Sequence, residues 1–185
     1  MRNILIVLSG PSGVGKGTLA KMLVEKDKNI KLSISCTTRA PRQGEENGRE
    51  YFFISKDEFK DKISNDGFLE YSNHFENFYG TPKDFVINTL KEKDVLLEID
   101  VNGGLEVKKN YKDAVLIMLL PPSKEEIFNR LKKRSTESIE KINLRMERID
   151  YELSKQSLYD YTIVNDDLSV ALSEIEKIIV KEKNN

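Results

Sequence analysis

Residues 4 to 23 constrain the fold more than any other stretch of the chain. An apolar run, Ile4-Leu-Ile-Val-Leu8, leads into Gly10-Pro-Ser-Gly-Val-Gly-Lys16-Gly-Thr18, after which Leu19, Met22 and Leu23 fall on one helical face. A short apolar run without alternation suits a strand buried on both sides, and the spacing that follows suits an amphipathic helix. A glycine turn between such elements lets backbone N–H groups converge on one anion, and the helix N-terminus adds positive potential. An ordinary turn accounts for Gly13 and Gly15 but gives no reason for the neighbouring lysine; Lys16 supplies a mobile ammonium for outer phosphates. Gly10, Pro11, Ser12, Gly13, Val14, Gly15, Lys16, Gly17 and Thr18 are therefore the expected cradle for a nucleoside triphosphate. The usual pattern has Ser or Thr directly after the lysine. Here Gly17 intervenes, so Thr18 is expected to meet Mg²⁺ directly or through water.

Three further apolar runs, Val95-Leu-Leu-Glu-Ile99, Ala114 to Leu120 and Tyr161-Thr-Ile-Val164, have the same character as the first. With amphipathic stretches between them, including Leu172, Ile175, Ile178 and Ile179 near the end, they predict an α/β fold with a central, mostly parallel sheet between helical layers. Residues 34–89 read differently. Tyr51-Phe-Phe-Ile54, Phe68-Leu-Glu-Tyr71 and the turn-rich Gln43-Gly-Glu-Glu-Asn-Gly48 predict a small α+β insertion. Pro121-Pro122 ends the third run, and a Lys/Arg-rich helix follows. Ser138 is placed to cap a second helix whose stripe is Ile139, Ile142, Met146, Ile149 and Leu153. The expected division is a core of 1–33, 90–120 and 158–185, an insertion of 34–89, and a helical lid with its supporting helix at 121–157.

Thirty Lys+Arg balance thirty-one Asp+Glu, leaving a net charge of −1 over 185 residues. No global positive field is present to hold nucleic acid or an anionic membrane, so neither is an expected partner. The apolar runs fall well short of the roughly 18 residues that a spanning helix needs. The one cysteine, Cys36, forms no internal disulfide and reads as a packing residue in a reducing cytoplasm.

A signalling GTPase would carry an Asn-Lys-x-Asp segment, and no Asn-Lys pair occurs in the chain. Arginines occur instead in Cys36-Thr-Thr-Arg39-Ala-Pro-Arg42, with Tyr51 shortly after and Tyr79-Gly-Thr81 further on. Guanidinium groups suit bidentate contact with phosphate, and tyrosine hydroxyls complete such a shell. Taken by residue type alone, Tyr51 is as well explained by an aromatic core and Glu70 by a solvated strand.

With these segments in view, the sequence resembles the guanylate kinase family, a group of P-loop nucleoside monophosphate kinases, over nearly its whole length. The likeness rests on GPSGVGKGT at 10–18, SCTTRAPR at 35–42, GREYFF at 48–53, FLEY at 68–71, YGTP at 79–82, LEIDVNG at 97–103, PPS at 121–123 and IVNDD at 163–167. The resemblance implies transfer of the γ-phosphoryl group of Mg-ATP to GMP, giving ADP and GDP. It also implies a core, a nucleotide-monophosphate domain and a lid, with Mg²⁺ as cofactor, GMP and ATP as partners and no obligatory protein partner. It assigns Ser35, Arg39, Arg42, Tyr51, Glu70, Tyr79, Thr81 and Asp100 to GMP and Asn165 to the ATP base. Guanine offers N1–H and an amine as donors, which Glu70 and Asp100 are able to accept, and an O6 acceptor for the hydroxyls of Ser35 or Thr81.

By the same resemblance Arg130, Arg134 and Arg145 join Lys16 and Arg39 in holding the transferring phosphoryl group. Arg130 and Arg134 sit one turn apart, where pairing with Glu126, Glu137 or Glu140 is an equally good reading of the charge pattern. Family members commonly have glycine where Ser135 stands. In-line transfer needs no protein nucleophile, and a phosphate monoester with a second pKa near 6 needs no general base, so the lone histidine, His74, is given no role. A protein-binding module and a kinase for another monophosphate remain the alternatives, separable by assay across nucleotides.

Overall fold

A computed structural model describes residues 2–74, 76–134 and 139–185; within these, the side chains of residues 74, 130, 131, 133, 134 and 139–145 are not described. The central sheet consists of β1 (Leu5–Ser9), β2 (Ile30–Leu32), β7 (Asp94–Glu98), β8 (Val115–Leu120) and β9 (Tyr161–Val164). Their order is β2-β7-β1-β8-β9 and every pairing is parallel. Strand β1 lies at the centre and explains the layering. Ile4, Ile6 and Leu8 enter one apolar layer with α1 (Lys16–Lys26) and α7 (Leu168–Asn184). Leu5 and Val7 point the other way, into a layer containing Val86 of α3 (Lys83–Leu90) and Val101 and Val107 of α4 (Val101–Asn110). Each such residue is essentially inaccessible to water, and burying one stabilises the fold by about 1.5–3 kcal/mol.

Two strands differ from the expectation of four doubly buried runs. Strand β2 is a fifth, three-residue edge strand whose middle member, Lys31, faces solvent; one charge in so short a run hides the pattern. Strand β9 closes the opposite edge, and only Ile163 of its four residues is buried. Asp94 is fully buried, accepting from Ile4 N at 2.9 Å and from Lys183 Nζ at 2.6 Å, so it ties the chain's first strand and last helix together.

The insertion forms a second, mixed sheet of β3 (Cys36–Thr37), β4 (Phe52–Phe53), β5 (Phe68–His74) and β6 (Asn77–Pro82), ordered β4-β3-β6-β5. Helix α2 (Lys56–Ser64) covers it, started by a capping box in which Ser55 and Glu58 each accept from the other's backbone N–H. Its small core is aromatic. Phe59 stacks on Phe68 at 4.4 Å and on Phe78 at 5.3 Å, with Cys36 buried beside them. Burial pushes the Cys36 thiol up to about 11, as suits a packing residue. Helices α5 (Lys124–Arg134) and α6 (Ile139–Leu153) follow β8 and are joined by Lys124 and Asp150 at 2.6 Å. Met146, Ile149 and Leu153 of the expected stripe pack on the core; Ile139 and Ile142 lie outside the described side chains, and Ser135 and Ser138 outside the described residues. Among the described residues no helix is long and apolar enough to cross a membrane.

Candidate active site

Because the central strands run parallel, the loops after β1 and β7 open at the same edge of the sheet, where α/β folds gather ligands. The loop after β1 is held in a shape that glycine permits. Gly10 has φ +146° and a methyl there would lie 2.5 Å from the Leu119 carbonyl oxygen; Gly15 caps α1 in the left-handed region at φ +103°. With no side chain at that cap, the first-turn N–H groups of α1 remain facing the loop. Lys16 Nζ reaches across it, donating to Gly10 O at 2.6 Å and Pro11 O at 3.1 Å. Burial lowers the pKa of this ammonium, while Glu98, Glu152 and Asp100 act in the opposite direction. Thr18 sits exposed in the first turn of α1.

Asn165 is buried behind the loop. Its Nδ2 donates to Val14 O at 2.7 Å, and its Oδ1 is a buried acceptor without a hydrogen-bond partner. This amide therefore joins the end of β9 to the middle of the glycine loop.

Facing the loop is a cavity of about 530 Å³ lined by Ser35, Arg39, Arg42, Tyr51, Glu70, Tyr79 and Asp100, together with Ser72, Asn77 and Glu98. Thr81 lines an adjoining space with Ser35, Tyr51 and Glu98. All eight residues that the sequence assigned to the monophosphate thus stand around one region. The aromatic pair Tyr51 and Tyr79 meets edge to face at 6.0 Å, and the Arg39 guanidinium lies over the rings of Tyr51 and Phe53 at 5.5 and 5.8 Å. Tyr51 is only partly buried: its ring packs on Tyr79 and also lines the cavity.

Glu70 owes its position to a break in strand register. The pairing of β5 with β6 shifts between Phe68 and Glu70, so Phe68 enters the small aromatic core, Leu69 enters the main core and Glu70 meets Thr81. Such bulges re-aim side chains. The Thr81 hydroxyl donates to Glu70 Oε1 at 2.6 Å. Burial pushes the Glu70 carboxyl up to about 7, against the stabilising hydrogen bond from Thr81. Asp100 caps α4, accepting from Gly103 N at 2.8 Å, and its other oxygen lies 3.6 Å from Arg148 Nη2.

Three cleft residues escaped the sequence reading. Glu98 ends β7 beside Gly17, where an added methyl would lie 3.3 Å from its Oε1; desolvation raises its carboxyl and Lys16 lowers it. The available signal was the single charge inside Val95-Leu-Leu-Glu-Ile99. Glu152 is buried, held by Arg148 Nε one turn earlier on α6 at 3.1 Å, and raised by that burial; the i,i+4 spacing reads as an ordinary surface pair, and only Lys16 and Asp100, from other elements, place it at the cleft. Glu45, which grips Arg39, sits in a turn-rich stretch that reads as solvated. Arg130, Arg134 and Arg145, expected at the transferring phosphoryl group, lie outside the described side chains.

Comparison with known proteins places the chain in one family. The profile of the family described as guanylate kinase matches residues 2–182. The guanylate kinase of Caldanaerobacter subterraneus subsp. tengcongensis is 51% identical over 183 residues, covering 98% of this chain and 89% of that protein. The Clostridium tetani guanylate kinase is 49% identical, with 98% and 88% covered. Among solved structures, the crystal structure of guanylate kinase from Anaplasma phagocytophilum superposes with a TM-score of 0.75 at 33% identity, covering 98% of this chain and 86% of that one.

Proposed function

The chain belongs to the guanylate kinase family, and we infer from that membership that it is a phosphotransferase taking ATP and GMP to ADP and GDP. The observation that carries the reading at the level of residues is the single cavity shared by Arg39, Arg42, Tyr51, Tyr79, Glu70 and Asp100, opposite the Lys16 loop. Two of its walls, Glu98 and Asp100, also act electrostatically on Lys16, so the two ends lie within reach of one phosphoryl transfer.

In this reading the backbone of Gly10–Thr18 and the Lys16 ammonium hold the ATP phosphates. Asn165, which braces the loop through Val14 O, stands near the adenine base. Arg39, Arg42, Tyr51 and Tyr79 hold the GMP phosphate, and Glu70 and Asp100 accept from guanine N1–H and its amine. Adenine lacks that pair of donors, and leaving a buried carboxylate unpaired costs about 1–3 kcal/mol per group, which is the source of selection between purines. Since the Thr81 proton goes to Glu70, guanine O6 falls to the Ser35 hydroxyl. The donor chemistry fits Mg²⁺ arriving with the triphosphate: Thr18 stands at the loop's end and Glu98 beside Gly17, an oxygen set that meets a hydrated ion directly or through water. The ion supplies charge neutralisation on the outer phosphates.

We assign Arg130, Arg134 and Arg145 to the departing and arriving charge on the same reading. Residues 1–33, 90–120 and 158–185 act as the fixed core, with 34–89 and 121–157 closing over it to exclude water from the γ-phosphate. Positioning and charge stabilisation then carry the rate, and no side chain is phosphorylated. A cytoplasmic setting suits the buried, reduced Cys36.

A coupled assay with Mg-ATP and GMP, dGMP, AMP, CMP or UMP tests the assignment. GMP-dependent ADP production with AMP, CMP and UMP far behind is the expected result. Preference for AMP or CMP would assign the cavity to another monophosphate, and GMP binding without turnover would make the protein a binding module.

A further inference from the structure

Glu45 has no part in the reading above, yet it sits at the phosphate end of the cavity. Its carboxylate takes Arg39 end-on, with Nη1 donating to Oε2 at 2.9 Å and Nη2 to Oε1 at 3.0 Å. Oε2 also accepts from the Arg42 backbone N–H at 2.7 Å, and Glu45 N donates back to Arg42 O at 3.0 Å. The second Nη1 hydrogen goes to Ala40 O at 2.8 Å. The faces of the same guanidinium are covered by Tyr51 and Phe53. Arg39 and the Arg42 N–H hold the Glu45 carboxyl below the usual carboxylate range, so it stays ionised wherever the protein works.

A guanidinium has five N–H donors in a fixed plane. Ala40 and Glu45 take three of them. The other two, on Nε and Nη2, share one edge, and the Tyr79 hydroxyl interacts with this same guanidinium. That edge of a guanidinium is suited to phosphate oxygens, which there meet arginine and tyrosine together. We propose that Glu45 is a positioning residue for the monophosphate: by fixing the end-on edge of Arg39 and the backbone of Arg42, it presents the side-on edge of Arg39, with Tyr79, to the GMP phosphate. The inference rests on the cavity being the GMP site. Its opposite is that Glu45 competes with phosphate for Arg39, and the bland alternative is a staple that only holds the loop together.

The test is Glu45→Gln and Glu45→Asp in the full chain, each alone and with Arg39→Ala, measured by GMP calorimetry, steady-state kinetics and thermal melting. Positioning predicts that Glu45→Gln weakens GMP binding and raises its KM by roughly tenfold, leaves the ATP KM unchanged and adds little in the Arg39→Ala background. Glu45→Asp should recover part of the loss. Tighter GMP binding by Glu45→Gln would establish competition and overturn the proposal. Equal shifts for both nucleotides with a lowered Tm, or full additivity with Arg39→Ala, would leave only a staple. Wild-type protein that binds GMP while Glu45→Gln matches it sinks this proposal and spares the kinase reading; wild-type protein that binds no GMP sinks both.

Discussion

At the Lys16 end of the cleft the groups offered to phosphate are backbone N–H donors of one loop, whereas at the Arg39 end they are side chains drawn from the segment between β3 and β4 and from β6. The first arrangement is fixed by the main core: Gly10 presses on Leu119 O and Gly15 on Asn165, and β1 behind them is buried throughout. The second rests on strands as short as two residues and a small aromatic cluster around Phe59. A backbone cradle depends on few side chains and is hard to deform. A side-chain cradle depends on every member and on the small sheet that carries them, which suits the closing movement proposed for residues 34–89.

The contrast is most sharply tested at Lys16. Lys16→Met should lower kcat by about 10²–10³ or more, while Tm stays level or rises, because a partly desolvated charge is removed; unchanged turnover with saturating nucleotides would end the phosphate-loop assignment. Next comes Phe59→Ala, expected to cost about 3–5 kcal/mol within the small core. Hydrogen exchange should then show loss of protection across β3 to β6 with the central sheet still protected, and GMP affinity lost before ATP affinity. Uniform loss across both sheets would mean that the insertion is no softer than the core.

Glu70→Gln should raise the GMP KM about 10- to 100-fold, the equivalent of roughly 1.4–2.8 kcal/mol, with the ATP KM unaffected. The last test is a pH profile. A buried carboxyl raised from 4.5 to about 7 holds its proton more tightly when folded than when unfolded. Its neutral form therefore supports the fold below pH 4.5, and that contribution is lost as pH rises towards 7, by on the order of 3 kcal/mol. Guanine recognition needs the ionised form, so the GMP KM should rise as pH falls below about 7 while the ATP KM does not follow. Stability and GMP binding should thus move in opposite directions with pH, and Glu70→Gln should abolish both trends.

Legibility in the sequence followed the range of the interactions. The glycine loop, the buried runs and the Arg39-Arg42 loop are local patterns, so residue spacing was enough to pick them out. Strand β2 escaped because three residues with a central lysine carry no periodicity. Glu152 escaped because its pairing with Arg148 reads as an ordinary i,i+4 surface pair, and its importance comes from Lys16, on an element far away in the chain. Glu45 was legible only as part of a turn, since neither its fork with Arg39 nor its contact with the Arg42 backbone leaves any mark on composition.

What the chain's order of residues determined alone is the alternation of buried strands and helices and a strand-loop-helix able to receive phosphate, because those depend on side-chain periodicity and on backbone freedom at neighbouring positions. Tertiary structure decided which carboxylates share the cleft, and it turned Glu70 towards Thr81 through a slip in strand pairing. It also raised that carboxyl to about 7. Desolvation and long-range pairing are properties of what surrounds a group, and the surroundings of Glu70 and Glu152 exist only once the strands and helices that supply them have packed.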